Sequence, residues 1–190
     1  MLAMGSGDLT DVVAAGHPIN PTLLDDTEYQ GISLGLPAIV DKLAWKTFQK
    51  TFHRDPATGE LRGWNVRLRQ SGLEGEIVPK LKRGAPFTWG HYRVVANAGR
   101  PSPKPWCDSL LIDYSVAANS RFGATYRMRD PLVALEAGSA GTLLGWSYVQ
   151  LGHRQVSTPS FFLLRNPRPL SHVVSEANEL TSYDFPFPRG

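Results

Sequence analysis

The stretch that most constrains this chain runs from Arg127 to Arg165, RMRDPLVALEAGSAGTLLGWSYVQLGHRQVSTPSFFLLR. It holds three apolar runs rich in aromatic and β-branched residues, separated by turn residues, and no stretch with helical spacing of apolar positions. Gly138-Ser139-Ala140-Gly141 and Gly152-His153 divide it. The pattern predicts three consecutive antiparallel strands, with a bulge or an edge at Pro159, because proline cannot donate to a strand ladder. Such a meander has to be completed by other strands before its apolar face is covered.

The rest of the chain supplies them. Runs near residues 28–33, 46–54, 60–70, 87–96, 106–116, 125–135, 142–151 and 156–165 each read as strands. Asp55-Pro56-Ala57-Thr58-Gly59 turns the second run into the third, where Trp64, Val66 and Leu68 alternate with Asn65, Arg67 and Arg69. Gly63 beside Trp64 fits a bend or a close packing contact. Eight sequential antiparallel strands suit an up-and-down β-barrel, since closure removes the exposed edges of an open sheet. Leu36–Ala44, with Pro37 at a first helical position, predicts a short helix after the first strand.

The expected organisation is a flexible lead-in over 1–27, a barrel domain over 28–166 and a proline-containing tail over 167–190. With 190 residues, 42% of them hydrophobic, one domain with a substantial core is the natural size. No apolar run approaches the roughly 18 residues of a membrane span. The N-terminal residues lack the basic and apolar regions of a secretory signal, which points to the cytoplasm. The single Cys107 excludes an intrachain disulfide and a cysteine metal cluster, and beside Asp108 it reads as a small buried hydrophobe.

The net charge of +3 conceals an uneven distribution. Residues 1–41 carry six acids and no Lys or Arg, whereas residues 42–104 carry thirteen Lys/Arg against four acids. The basic block includes Lys46, Lys50, Arg62, Arg67, Arg69, Lys80, Lys82 and Arg83, and could attract an anionic surface or a nucleic acid. Solvated strand faces account for it equally well, and nucleic acid is the less favoured partner because Trp45, Phe48, Phe52 and Trp64 also suit a core.

Sequence blocks carry two resemblances. EYQGISLGLP, WKTFQKTF, GELRGWNVRLRQ, LLIDYS, RDPLVAL and LLGWSYVQLG with PSFFLLR resemble, over about residues 20–166, a set of uncharacterised bacterial proteins with the same order of blocks. More loosely, the strand count and the glycine–tryptophan pairs look like lipocalin-type (calycin) barrels, a resemblance that implies binding of hydrophobic ligands. The chain departs from the lipocalin Gly-x-Trp signature, since Gly31 is followed by Ile32 and Ser33.

Motifs of common chemistries are missing: the chain has no GxxxxGK[ST] phosphate loop, no GxGxxG, no HExxH and no GxSxG elbow. Ser147, in Gly145-Trp146-Ser147-Tyr148, lacks the second glycine of an elbow. His17, His53, His91, His153 and His172 are scattered, so a metal site would have to be assembled from distant strands. No cofactor is implied.

One group of polar and aromatic residues falls on neighbouring strands: Trp89, His91 and Arg93, then Asp113 and Tyr114, then Trp146 and Tyr148. If the face bearing His91 and Arg93 points inward, it forms a site for a fatty-acid-like molecule or an aromatic carboxylate, arginine gripping the acid and rings covering the remainder. If Tyr92 and Val94 point inward instead, Arg93 is solvated; alternation alone leaves both orientations open. Arg129-Asp130 reads as an ion pair at a barrel end. Two functions share the expected pocket, binding of a hydrophobic or amphipathic small molecule without chemistry, and an isomerase or hydrolase with His91 as acid or base and Asp113 or Tyr114 as its partner.

Overall fold

A computed structural model of the chain describes residues 1, 4–35, 46–115, 117 and 119–175. Its barrel strands are β1 (Thr27–Leu34), β2 (Thr47–Arg54), β3 (Leu61–Arg67), β6 (Thr88–Ala96), β7 (Leu110–Asp113), β8 (Met128–Ala134), β9 (Leu143–Leu151) and β10 (Arg154–Pro169). Between β3 and β6 a two-stranded hairpin is formed by β4 (Leu81–Lys82) and β5 (Ala85–Pro86). Each barrel strand pairs antiparallel with its predecessor along the chain, and β1 pairs with β10 to close the barrel. This is the eight-stranded up-and-down architecture expected from the alternation. The short helix expected over Leu36–Ala44 lies outside the described residues.

Inside the barrel, every second residue of each strand forms one cluster: Tyr29, Phe52, Leu61, Tyr92, Ile112, Tyr114, Leu132, Leu143, Phe162 and Leu164 are among its buried members. Of the two orientations open for β6, the structure has Tyr92 and Val94 in this interior cluster. Rings this large fit because glycines face them. A Cβ at Gly145 would land on the Phe162 ring, and one at Gly63 on the Thr51 carbonyl oxygen and the Tyr92 ring. The β3–β6 ladder shifts register between Gly63 and Asn65, and β9–β10 shifts between Ser157 and Phe161, the latter spanning Pro159.

One end of the barrel is closed by the chain ahead of β1. Pro21–Leu24 forms a 3-10 turn capped by Asn20, whose Oδ1 accepts from the Thr22 amide at 3.1 Å. That turn places Leu24 in the interior cluster with Ile19, and the Tyr29 hydroxyl donates to the Ala140 carbonyl there at 2.9 Å. Partly buried members stand toward both ends, Val94 and Ala140 here and Phe48 and Met128 at the other.

The outer wall is covered as well. The lead-in, expected to drape loosely, instead forms helix α1 (Ser6–Ala14), with the Asp8 carboxylate accepting from the Gly5 amide at 3.0 Å. Leu9, Val12 and Val13 recur at helical spacing and pack on Ile32, Leu144, Trp146 and Phe161. That spacing is short enough to vanish among the glycines and prolines around it. The expected tail is also held: β10 runs on to Pro169, where Arg168 Nε lies 2.6 Å from Glu28, and beyond it the Ser171 hydroxyl donates to Glu28 at 2.8 Å and Arg62 donates to the Val174 carbonyl at 2.9 Å.

Alanine substitution separates the packed glycines from the free ones. Gly63→Ala is expected to destabilise the fold by about 2–3 kcal/mol through overpacking. Gly7→Ala, in α1 with nothing within 4 Å of the added methyl, should raise stability by about 0.5–1 kcal/mol. Chemical denaturation of the two variants checks both signs.

Candidate functional site

At the middle of the barrel lies a group of polar side chains that strand alternation brings to one level. Lys50 is 1% exposed and Asp130 2%. Lys50 Nζ donates to Tyr114 Oη at 2.9 Å, to Asn65 Oδ1 at 3.2 Å and to Asp130 Oδ2 at 3.4 Å. Tyr114 Oη donates in turn to Asp130 Oδ2 at 2.9 Å, and Ser147 Oγ donates to Asp130 Oδ1 at 2.7 Å. Asn65 uses its amide nitrogen on the carbonyls of Trp89 and Gly90. Each member has a partner, as burial in a low-dielectric interior demands.

Aromatic rings surround the ammonium. Its nitrogen lies 4.8 Å from the Tyr92 ring centre, 4.9 Å from Phe162, 5.4 Å from Tyr114 and 6.0 Å from Phe48. Cation–π attraction grows when the cation is desolvated. Burial lowers the Lys50 pKa, with the Asp130 charge pulling it back up. Burial likewise raises Tyr92 and Tyr114 well above the usual phenol value, the Asp130 charge adding to the effect. Tyr29 is pushed up to about 12 by burial, against a lowering hydrogen bond from Thr27.

The residues singled out by sequence divide between the two faces of the wall. Tyr114 stands inside, bonded to Lys50 and Asp130. Trp89 is half-buried and pairs across the ladder with Asn65. His91, though 1% exposed, lies outside the barrel, its ring 5.7 Å from that of Trp64. Arg93 also faces outward and bonds Glu60 at 3.0 Å. Asp113 pairs on the outer face with Arg129 at 3.1 Å. Trp146 and Tyr148 belong to the outer cluster beneath α1. The structure therefore places His91 and Tyr114 on opposite sides of the sheet. Arg129 and Asp130 likewise part company: adjacent strand residues point to opposite faces, so Arg129 meets Asp113 outside while Asp130 meets Lys50 within.

Lys50, Asp130, Asn65 and Ser147 were not among the residues expected to line the pocket; Lys50 was read as part of the basic surface, which its burial corrects, and Asp130 as the partner of Arg129. Lys50 had a visible signal, since it shares a strand face with Phe48 and Phe52, where a solvated lysine has no place. Asp130 has the same signature between Met128 and Leu132.

Outside the barrel, the β6–β7 connection borders an open cleft of about 440 Å³ lined by Asn97, Arg100, Lys104, Trp106 and Asp108, among others. Lys104 Nζ covers the Phe161 ring at 4.4 Å and the Trp146 ring at 5.3 Å. No group of three or more histidine, cysteine, aspartate or glutamate side chains among the described residues could hold a metal ion. The chain matches no protein-family model and no curated protein.

Breaking the central pair from one side leaves a buried charge uncompensated. Lys50→Met should cost about 3–5 kcal/mol, and Lys50→Met with Asp130→Asn should recover part of that loss; urea unfolding of the two singles and the double measures the coupling. Phenol titration followed at 295 nm gives a second check. Tyr92 and Tyr114 keep their protons above the usual phenol value, so above about pH 10 the unfolded chain releases protons that the folded chain retains. Stability should fall as pH rises through that range, and these two phenols should ionise only as the fold opens.

Proposed function

We propose that the barrel binds a hydrophobic or amphipathic small molecule, fatty-acid-like or an aromatic carboxylate, and performs no chemistry on it. The observation that carries this reading is the Lys50–Tyr114–Asp130 centre set among Phe48, Tyr92 and Phe162. An eight-stranded barrel of this size either fills with its own side chains or holds one small ligand. A ring-lined interior with a few convergent polar groups is the usual make-up of a ligand site. The acid-gripping role that sequence assigned to Arg93 passes in this reading to Lys50, the cation on the inner face, with Tyr114 as a second donor.

A ligand enters by the end where Phe48 and Met128 are partly buried, the opposite end being occupied by Ile19 and Leu24. Its apolar body takes over contacts that the Phe48 and Phe162 rings now make with each other, their centres being 6.1 Å apart. Its oxygens meet Lys50 and Tyr114 in surroundings where charge-assisted hydrogen bonds are strong.

Native mass spectrometry of the purified chain, followed by denaturing extraction, is expected to show one small molecule per chain. A fluorescent fatty acid should bind at least about tenfold more tightly than its methyl ester, which cannot form the charge-assisted pair. An empty chain that takes up neither probe overturns the reading. Equal affinity for acid and ester removes Lys50 as the anchor.

A further inference from the structure

The described connections at the end of the barrel where β2 begins differ in charge from those at the end closed by the lead-in. At the end where β2 begins, the connections after β3, β7 and β9, residues 68–87, 114–127 and 152–154, carry seven lysines and arginines and two acids, Glu74 and Glu76. Glu74 is paired with Arg165 at 2.9 Å. At the other end, residues 17–26, 55–60, 97–109 and 135–142 carry six acids and two basic residues. The connections at one end are thus basic, whereas at the other Asp25, Asp55 and Glu60 are answered by Arg54, Arg62 and Arg93.

Large apolar side chains stand among the basic ones. Phe122 is 96% exposed beside Arg121, in a turn closed by the Gly123 amide donating to the Ser120 carbonyl at 2.9 Å. Leu81, 55% exposed, sits beside Lys80 and Lys82 on the β4–β5 hairpin. That hairpin is tied to the barrel, since the Lys80 amide donates to the Arg67 carbonyl at 2.8 Å and the Phe87 amide to the Lys80 carbonyl at 2.8 Å. It reverses at Arg83-Gly84, both with positive φ. Strand order makes the two connections neighbours at one end of the barrel, one joining β3 to β6 and the other β7 to β8. Exposed aromatic and aliphatic tips surrounded by cations match a bilayer interface, where rings enter the headgroup layer and Lys or Arg meet anionic lipid. A nucleic acid would use the cations and could stack on Phe122, but gives Leu81 no role.

We propose that this end of the barrel docks on an anionic lipid surface, with Phe122 and Leu81 entering the headgroup layer and Lys80, Lys82, Arg83 and Arg121 meeting the lipid charges. The docking is peripheral; no helix among the described residues is long and apolar enough to cross a membrane. It does not depend on what the barrel interior holds, so it stands or falls separately from the ligand reading. If both hold, the docked face is the one through which an apolar molecule passes between bilayer and barrel.

Sedimentation of the full chain with vesicles tests it. Vesicles of phosphatidylcholine mixed with phosphatidylserine should carry the protein down, and phosphatidylcholine alone should not. Binding should weaken as salt rises, in the manner of screened surface charge. Phe122→Ser and, separately, Lys82→Glu with Arg83→Glu should each weaken partition about tenfold or more. All three positions are exposed, and unchanged thermal unfolding verifies that the variants fold. Absence of vesicle binding, equal binding to both vesicle types, or variants that bind as the parent does would each overturn the proposal. A single-stranded oligonucleotide that displaces the vesicles, and binds Phe122→Ser as tightly as the parent, would also overturn it, by assigning the patch to polyanions at large.

Discussion

The buried ion pair between Lys50 and Asp130 is the constraint around which the barrel is arranged. Removing an ammonium and a carboxylate from water costs several kcal/mol for each ion, so the wall has to return those contacts. It does so with groups from four strands, Lys50 on β2, Asn65 on β3, Asp130 on β8 and Ser147 on β9, and with Tyr114 immediately after β7. The rings of Tyr92 and Phe162 complete the shell. Those rings reach the centre by lying against Gly63 and Gly145, where a side chain would exclude them. The pair also fixes register. Sliding β2 by one residue would turn Lys50 outward and bring Gln49 inward, stranding Asp130 without its cation.

Strand alternation and turn chemistry made the eight strands and their antiparallel order legible, because each half of the alternation matched a run bounded by glycine, proline or aspartate. Orientation was less accessible. On β6, His91 and Tyr92 are both buried, one under the outer covering and one in the barrel, so hydrophobicity cannot tell the faces apart. Around His91 that covering includes the Trp64 ring and the segment at Asn119, whose side-chain amide donates to the His91 carbonyl, both remote in sequence from the residue they cover. Within β2 the information was present: a lysine between two phenylalanines at spacing two contradicts a solvated face. It becomes decisive only once an acid is found opposite, and Asp130 lies 80 residues away.

The basic middle of the sequence resolves into positive charges with different tasks. Lys50 is enclosed and neutralised by Asp130. Arg54 pairs with Asp25 at 2.7 Å, Arg62 with Asp55 at 3.3 Å and Arg93 with Glu60 at 3.0 Å. All three pairs lie toward the end where the lead-in and the first hairpin turn bring acids, so Asp25 from the acidic head and the block's own Asp55 and Glu60 answer this part of the basic block. The hairpin charges at Lys80, Lys82 and Arg83 sit at the far end, away from those acids. Surface potential acts over roughly a Debye length of 8–10 Å, shorter than the barrel is long. The two ends therefore present separate fields to whatever approaches them, although the chain as a whole is close to neutral.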